Sequence, residues 1–134
     1  MKIIQQISLL ILIVVISTAC TSEPIDLADH NWKGKSIAGT SANQEKVSNL
    51  TLEFGEGQEI SGEAPCNSFR GGATYNREQI KFSALYTDRK ICDDYDLEKI
   101  FLTNLEASSR YTISGNTLAF FDDNGNLLLE MEKM

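Results

Sequence analysis

Short runs of alternating apolar residues, each closed by a turn signal, set the limits on what this chain can fold into. Leu50, Leu52 and Phe54 alternate with Thr51 and Glu53, giving a strand one apolar face and one polar face. Gly55-Glu56-Gly57 ends that run and Ile60 opens the next. An earlier strand starts near Trp32 and runs to Ile37, and Ala73 to Tyr75 extends. Ile80, Phe82 and Ala84 point one way on a further strand. The stretches 39–48 and 66–72 read as polar loop and turn, and Asn76-Arg77-Glu78 as another turn.

One stretch changes period. Leu97, Phe101, Leu105 and Ser108 recur at helical spacing, with Ile100 and Asn104 beside them. Asp93 and Asp94 precede them as N-cap candidates, and Asp96 and Glu98 fall in the first turn, where the helix dipole favours negative charge. A helix is expected over 93–107. Three short strands follow: Tyr111 and Ile113, then 117–121 after Gly115-Asn116, then a last strand after the hairpin dipeptide Asn124-Gly125. In that last strand Leu127, Leu129 and Met131 line one face and Leu128 the other. The expected class is mainly β (α+β), with about seven or eight short antiparallel strands. Phe120-Phe121 and Leu127-Leu128-Leu129 leave apolar residues on both faces of the last hairpin. One face therefore needs cover from the helix, a curled sheet or a ligand.

The N-terminus follows another pattern. Lys2 precedes an apolar run from Ile7 to Ile16, broken only by Ser8, and small residues Ser17-Thr18-Ala19 lead to Cys20. A positive start, an apolar middle and a small-residue end describe a secretory signal peptide. The run is too short for a spanning helix, which takes about 20 apolar residues. The segment resembles a bacterial lipobox, in which an aliphatic residue and two small ones direct lipid attachment to a cysteine; Ser17 stands where leucine is usual. The expectation is a signal peptide over 1–19, lipidation of Cys20, a tether over 20–29 and a domain over 30–134. An uncleaved anchor and ordinary secretion are the alternatives. Thr21 and Ser22 carry no acid, so in a host with two membranes the pattern resembles sorting to the outer one, facing the periplasm.

The formal net charge is −7, and removing the leader takes away a lysine but no acid. Such a surface neutralises no phosphates, which argues against nucleic acid. It also lacks a basic face for a bilayer, so membrane attachment would rest on acyl chains, at about 0.8 kcal/mol per buried CH2. With Cys20 spent on lipid, Cys66 and Cys92 remain. An even pair in an exported domain suggests a disulfide, worth roughly 3.5 kcal/mol for this loop length. Two free thiols, or half of a metal site, are the alternatives, and His30 is the sole histidine to complete the latter.

Other candidates have ordinary readings. Asn67 suits a turn that bonds its own backbone, and Gly71-Gly72 a turn or bulge rather than a phosphate cradle, since no helix follows. Asp122, Asp123, Asn124 and Asn126 suggest a calcium loop, but glycine falls fourth instead of sixth and no glutamate stands twelfth. Asp93, Asp94, Asp96 and Glu98 read as a solvated helix start. Trp32 reads as core. Arg70, Arg89 and Lys90 are candidates to cluster around the cysteine loops.

The order of these pieces resembles the META domain, the HslJ-like family of bacterial envelope proteins. Trp32 stands at the start, followed by Ile60-Ser61-Gly62, Cys66-Asn67-Ser68-Phe69, Gly71 or Gly72 and Tyr75. Ile80-Lys81-Phe82, Thr87 and Cys92 are similar to its second cysteine segment, and 111–118 with Asn124-Gly125-Asn126 to its tail. Ala64-Pro65 and the stretch 88–91 depart from the family's usual residues. The resemblance implies an antiparallel sheet curled into a cracked barrel, with one helix inserted before the last three strands. It also implies an envelope location, a loose link to heat or drug stress, and neither catalytic residues nor a cofactor.

The expected function is a non-enzymatic, lipid-anchored and monomeric envelope protein with no bound metal. Its domain would bind another envelope protein or an apolar ligand, with Asn67, Arg70, Tyr75 and Arg89 as the candidate surface. A secretin-pilot or chaperone-like structural lipoprotein and a metal-dependent hydrolase are the alternatives.

Overall fold

The computed structural model describes residues 26–134, so the expected signal peptide and Cys20 lie outside the described residues. Period-2 patterning yields eight strands: β1 (Trp32–Ile37), β2 (Thr51–Phe54), β3 (Glu59–Glu63), β4 (Ser68–Tyr75), β5 (Ile80–Thr87), β6 (Arg110–Ser114), β7 (Thr117–Phe121) and β8 (Leu127–Lys133). Two helices accompany them, α1 (Gln44–Ser48) and α2 (Tyr95–Ala107). The strands form one sheet in the order β5-β4-β3-β2-β1-β8-β7-β6, with every pairing antiparallel. Pairing of the first strand with the last curls the sheet until its outer strands touch. There the Ile80 N–H donates to the Ser109 carbonyl and the Tyr111 N–H to the Glu78 carbonyl, each at 3.0 Å. The result is the expected curled, mainly β fold with its principal helix before the last three strands.

The helix spacing explains what fills the curl. Leu97, Phe101 and Leu105 are buried along one face of α2, and Phe101 meets Phe69 of β4 edge-on at 5.6 Å between ring centres. Trp32, Leu52, Phe120 and Met131 complete a core without exposed side chains. Leu128 packs partly against that core, and its carbonyl accepts a hydrogen bond from Asn104 of α2 at 3.1 Å. The helix thus supplies cover for the second apolar face of the last hairpin.

Several local expectations change. The 39–48 loop contains α1, capped by Asn43, whose side chain accepts from the Lys46 N–H at 3.0 Å. Val47 is its one buried residue, too little to set a period. The helix backbone sits on β1 because Gly34 has no side chain; a Cβ there would lie 2.1 Å from the Val47 carbonyl oxygen. The 66–72 stretch is not a turn throughout, since β4 begins at Ser68 and Gly71-Gly72 lies inside it beside a register shift. That shift adds a residue to β5. Ala84 therefore takes a left-handed φ of 52° and faces solvent, while Leu85 turns towards the core. A second shift in β8 leaves Leu127 exposed while Leu129 and Met131 stay buried.

α2 starts at Tyr95, later than 93. Asp94 sits at its N-cap without a capping bond and pairs with Lys46 instead. The tether expected to reach Asp29 ends sooner. Asp26 caps a 3-10 turn, Leu27–Asp29, Leu27 is fully buried, and its carbonyl accepts from the Trp32 indole at 3.1 Å. Burial of that leucine brings residues 26–29 into the fold, ahead of the boundary at His30.

Candidate binding site at the disulfide-linked loops

Two loops meet at one end of β4. Cys66 lies between β3 and β4, Cys92 lies between β5 and α2, and the two are joined by a disulfide with 5.6 Å between Cα atoms. A second tie runs beside it. The Asn67 side chain accepts from the Lys90 N–H at 2.9 Å and donates to the Lys90 carbonyl at 3.0 Å, copying the pairing of a β ladder. A third tie comes from the helix. Glu98, 2% exposed, accepts from the Asn67 amide at 2.7 Å and from the Cys66 backbone N–H at 2.9 Å. One carboxylate in the first turn of α2 therefore bonds the β3–β4 loop directly and the 88–92 loop through Asn67.

The two bonds to the Glu98 carboxylate are charge-assisted, and such hydrogen bonds exceed neutral ones in strength. The three ties hold in place a loop whose tip is exposed. Ile91 is 82% exposed and Tyr86 61%, with Tyr95 also open at the start of α2. Arg89 and Lys90 are exposed on the same loop. Arg89 adopts a left-handed φ of 59° and its N–H donates to the Thr87 hydroxyl at 3.2 Å.

The predicted site residues separate. Asn67 is buried, with its amide spent on Lys90 and Glu98, so it positions the loops and does not offer itself to a partner. It bonds the neighbouring loop as well as closing its own turn, where its carbonyl accepts from the Ala64 N–H at 2.9 Å. Arg70 is exposed on β4, paired in register with Tyr86. Arg89 is exposed at the loop tip. Tyr75 lies at the far end of β4, roughly 20 Å from the disulfide loops at about 3.3 Å per strand residue. Its hydroxyl donates to Asp26 at 2.8 Å, and its ring meets Phe54 and Tyr111 edge-on. Burial, followed by the bond to Asp26, pushes its pKa up to about 12. Cys20 lies outside the described residues.

Glu98 is buried and does not belong to the solvated helix start expected for the acidic run 93–98. Its spacing to Phe101 and Leu105 put it on the buried face all along. The other acids of that run do not join it; Asp94 turns to Lys46. In the last hairpin, Asp122 accepts from Asn124 and Asn126 within its own turn. These bonds hold its carboxyl below the usual range, the Asn126 side chain contributing most. Among the described residues no three His, Cys, Asp or Glu side chains converge as a metal site would need.

Three comparisons place this geometry. The solved structures that match include a DUF4847 family protein from Bacteroides vulgatus, with a TM-score of 0.63 at 9% identity, covering 79% of this chain and 93% of that one. A protein from Burkholderia xenovorans, solved by NMR, has a TM-score of 0.63 at 20% identity, covering 88% of this chain and 94% of that one. A further NMR structure has a TM-score of 0.62 at 21% identity and covers 83% and 94%. At these identities the likeness concerns the fold. No curated protein matches the chain. The META domain family model matches residues 25–134, and the chain belongs to the META domain family.

Proposed function

We propose that the protein is a lipid-anchored, non-catalytic binding module of the cell envelope, which meets another envelope protein through the disulfide-linked loops. The single observation behind this reading is the triple tie of disulfide, Asn67 and Glu98 beneath the exposed residues Ile91, Arg89 and Tyr86. Ordering a loop before contact lowers the entropy cost of binding, and Ile91, Tyr86 and Tyr95 offer large apolar groups open to solvent. The membrane anchor rests on the Cys20 pattern, and a role in envelope or heat and drug stress rests on the family resemblance. In this reading the protein acts as a monomer held at the outer membrane of a two-membrane host.

A photo-crosslinking residue in place of Ile91, expressed in the native host, tests both parts at once. Mass spectrometry of the membrane extract should find Cys20 acylated and a protein adduct at position 91 that is absent when the crosslinker replaces Asp123. An unmodified Cys20 overturns the anchor. Equal adducts at both positions, or none at either, overturn the loop surface.

A further inference from the structure

The turn between β7 and β8 is built around one carboxylate. Through one oxygen Asp122 accepts from the Asn124 N–H at 2.9 Å and from the Asn126 N–H at 2.8 Å, and through the other from the Asn126 side chain at 2.9 Å. The backbone closes the same turn. The Gly125 N–H donates to the Asp122 carbonyl at 3.0 Å, and the Asp122 N–H to the Asn126 carbonyl at 3.1 Å. Gly125 takes the left-handed φ of 83° that this closure uses. Asn124 is exposed, and no other asparagine in the chain precedes a glycine.

We propose that Asn124 is a latent site of spontaneous deamidation, held closed by the Asp122 carboxylate. In that reaction the Gly125 backbone nitrogen attacks the Asn124 side-chain carbonyl carbon. A new C–N bond forms, the attacking nitrogen gives its proton to water, and the side-chain amide leaves as ammonia. Water then adds to the cyclic imide and opens it to aspartate or isoaspartate. The balance is a water consumed, an ammonia released and a negative charge gained. A glycine at the attacking position favours the step because no side chain crowds its nitrogen. In the folded turn, however, that nitrogen is engaged with the Asp122 carbonyl. Attack needs rotation about the Asn124 Cα–C bond, and the amides on either side, those of Asn124 and Asn126, are fastened to the same carboxylate. Opening of the turn therefore precedes the chemistry. An isoaspartate would lengthen the main chain by a carbon where the turn sets the register of β8, the strand that also pairs with β1. The site is independent of the anchor and of the loop surface proposed above.

The test is incubation of the full chain, disulfide intact, in dodecyl maltoside micelles at mildly alkaline pH. Peptide mass spectrometry follows the conversion of amide to acid at each asparagine. In the unaltered folded protein Asn124 should convert at least about tenfold more slowly than in the same protein unfolded in urea, because the turn must open first. That comparison needs no variant. Asp122→Ala should speed conversion of folded Asn124 about tenfold, the scale of losing the carboxylate's hydrogen bonds, while the other asparagines keep their rates. Asp122→Asn retains an acceptor for the two backbone amides and should stay within about threefold of the unaltered protein. In urea the three proteins should convert at a common rate, with Asn124 the fastest asparagine in each. Equal rates for the unaltered protein folded and in urea, an unchanged rate in folded Asp122→Ala, or faster conversion of another asparagine in urea overturns the proposal.

Discussion

Replacing Glu98 with alanine is expected to lower the unfolding free energy by about 3 kcal/mol, within the range for stranding buried donors. The Cys66 N–H and one Asn67 N–H lose their acceptor at a position 2% exposed. Water does not readily replace it, because the side chain is packed under two loops. Glu98→Gln is a sharper form of the same test. It preserves volume but offers one acceptor oxygen where two are used, and turns an amide donor towards another donor, so about 2 kcal/mol should still be lost. Asp96→Ala, one turn position away and exposed, should change stability by less than about 0.5 kcal/mol. Urea unfolding of the three variants reads the differences. Equal effects at Asp96 and Glu98 would return Glu98 to the solvated helix start the sequence suggested.

Gly62→Ala should cost about 3 kcal/mol for a different reason. A Cβ on Gly62 would stand 2.1 Å from the Thr51 carbonyl oxygen and 2.7 and 2.8 Å from the Phe69 ring. The first neighbour is backbone of β2, which cannot turn aside, and the second is a ring 1% exposed in the core. Relief therefore requires moving both β2 from β3 and Phe69 from its place in the core, and overpacking on this scale lies at the upper end of measured costs. Thermal unfolding should show a clear drop in Tm with the disulfide intact. A near-neutral result would mean that the β2–β3 contact yields more easily than a close-packed interior does.

Much of this fold was legible because local periodicity and tertiary demand agree. Leu52 and Phe54, Ile80 and Phe82, and Phe101 and Leu105 are buried as their spacing indicates. Legibility fails where an extra residue enters a strand. The shifts at Arg70/Gly72 and Phe120/Phe121 reverse the facing of Ala84 and Leu127; Gly71-Gly72 marks the first as a turn or bulge, but no residue type says which strand takes the extra residue. It fails again where a short element has one anchor, as in α1 with Val47 alone. At the site, the cysteines and Asn67 stood out by type. Glu98 did not, because composition groups it with Asp93, Asp94 and Asp96, whereas its helical phase groups it with Phe101. Phase was the better guide. Tyr75 stands in the candidate surface with Asn67, Arg70 and Arg89, yet β4 is long enough to carry it away from the cysteine loops.

A binding role for the two loops requires that they form a rigid end of the domain in solution. Amide hydrogen exchange of the oxidised protein measures this directly, residue by residue. The Cys66 and Lys90 amides, bonded to Glu98 and Asn67, should exchange at least about a hundredfold more slowly than an unstructured chain, a mark of opening that requires more than local fraying. In Glu98→Gln the Cys66 amide should lose most of that protection while the amides of β7 and β8 keep theirs. Exchange of the Cys66 and Lys90 amides at unstructured rates in the unaltered protein would contradict the account.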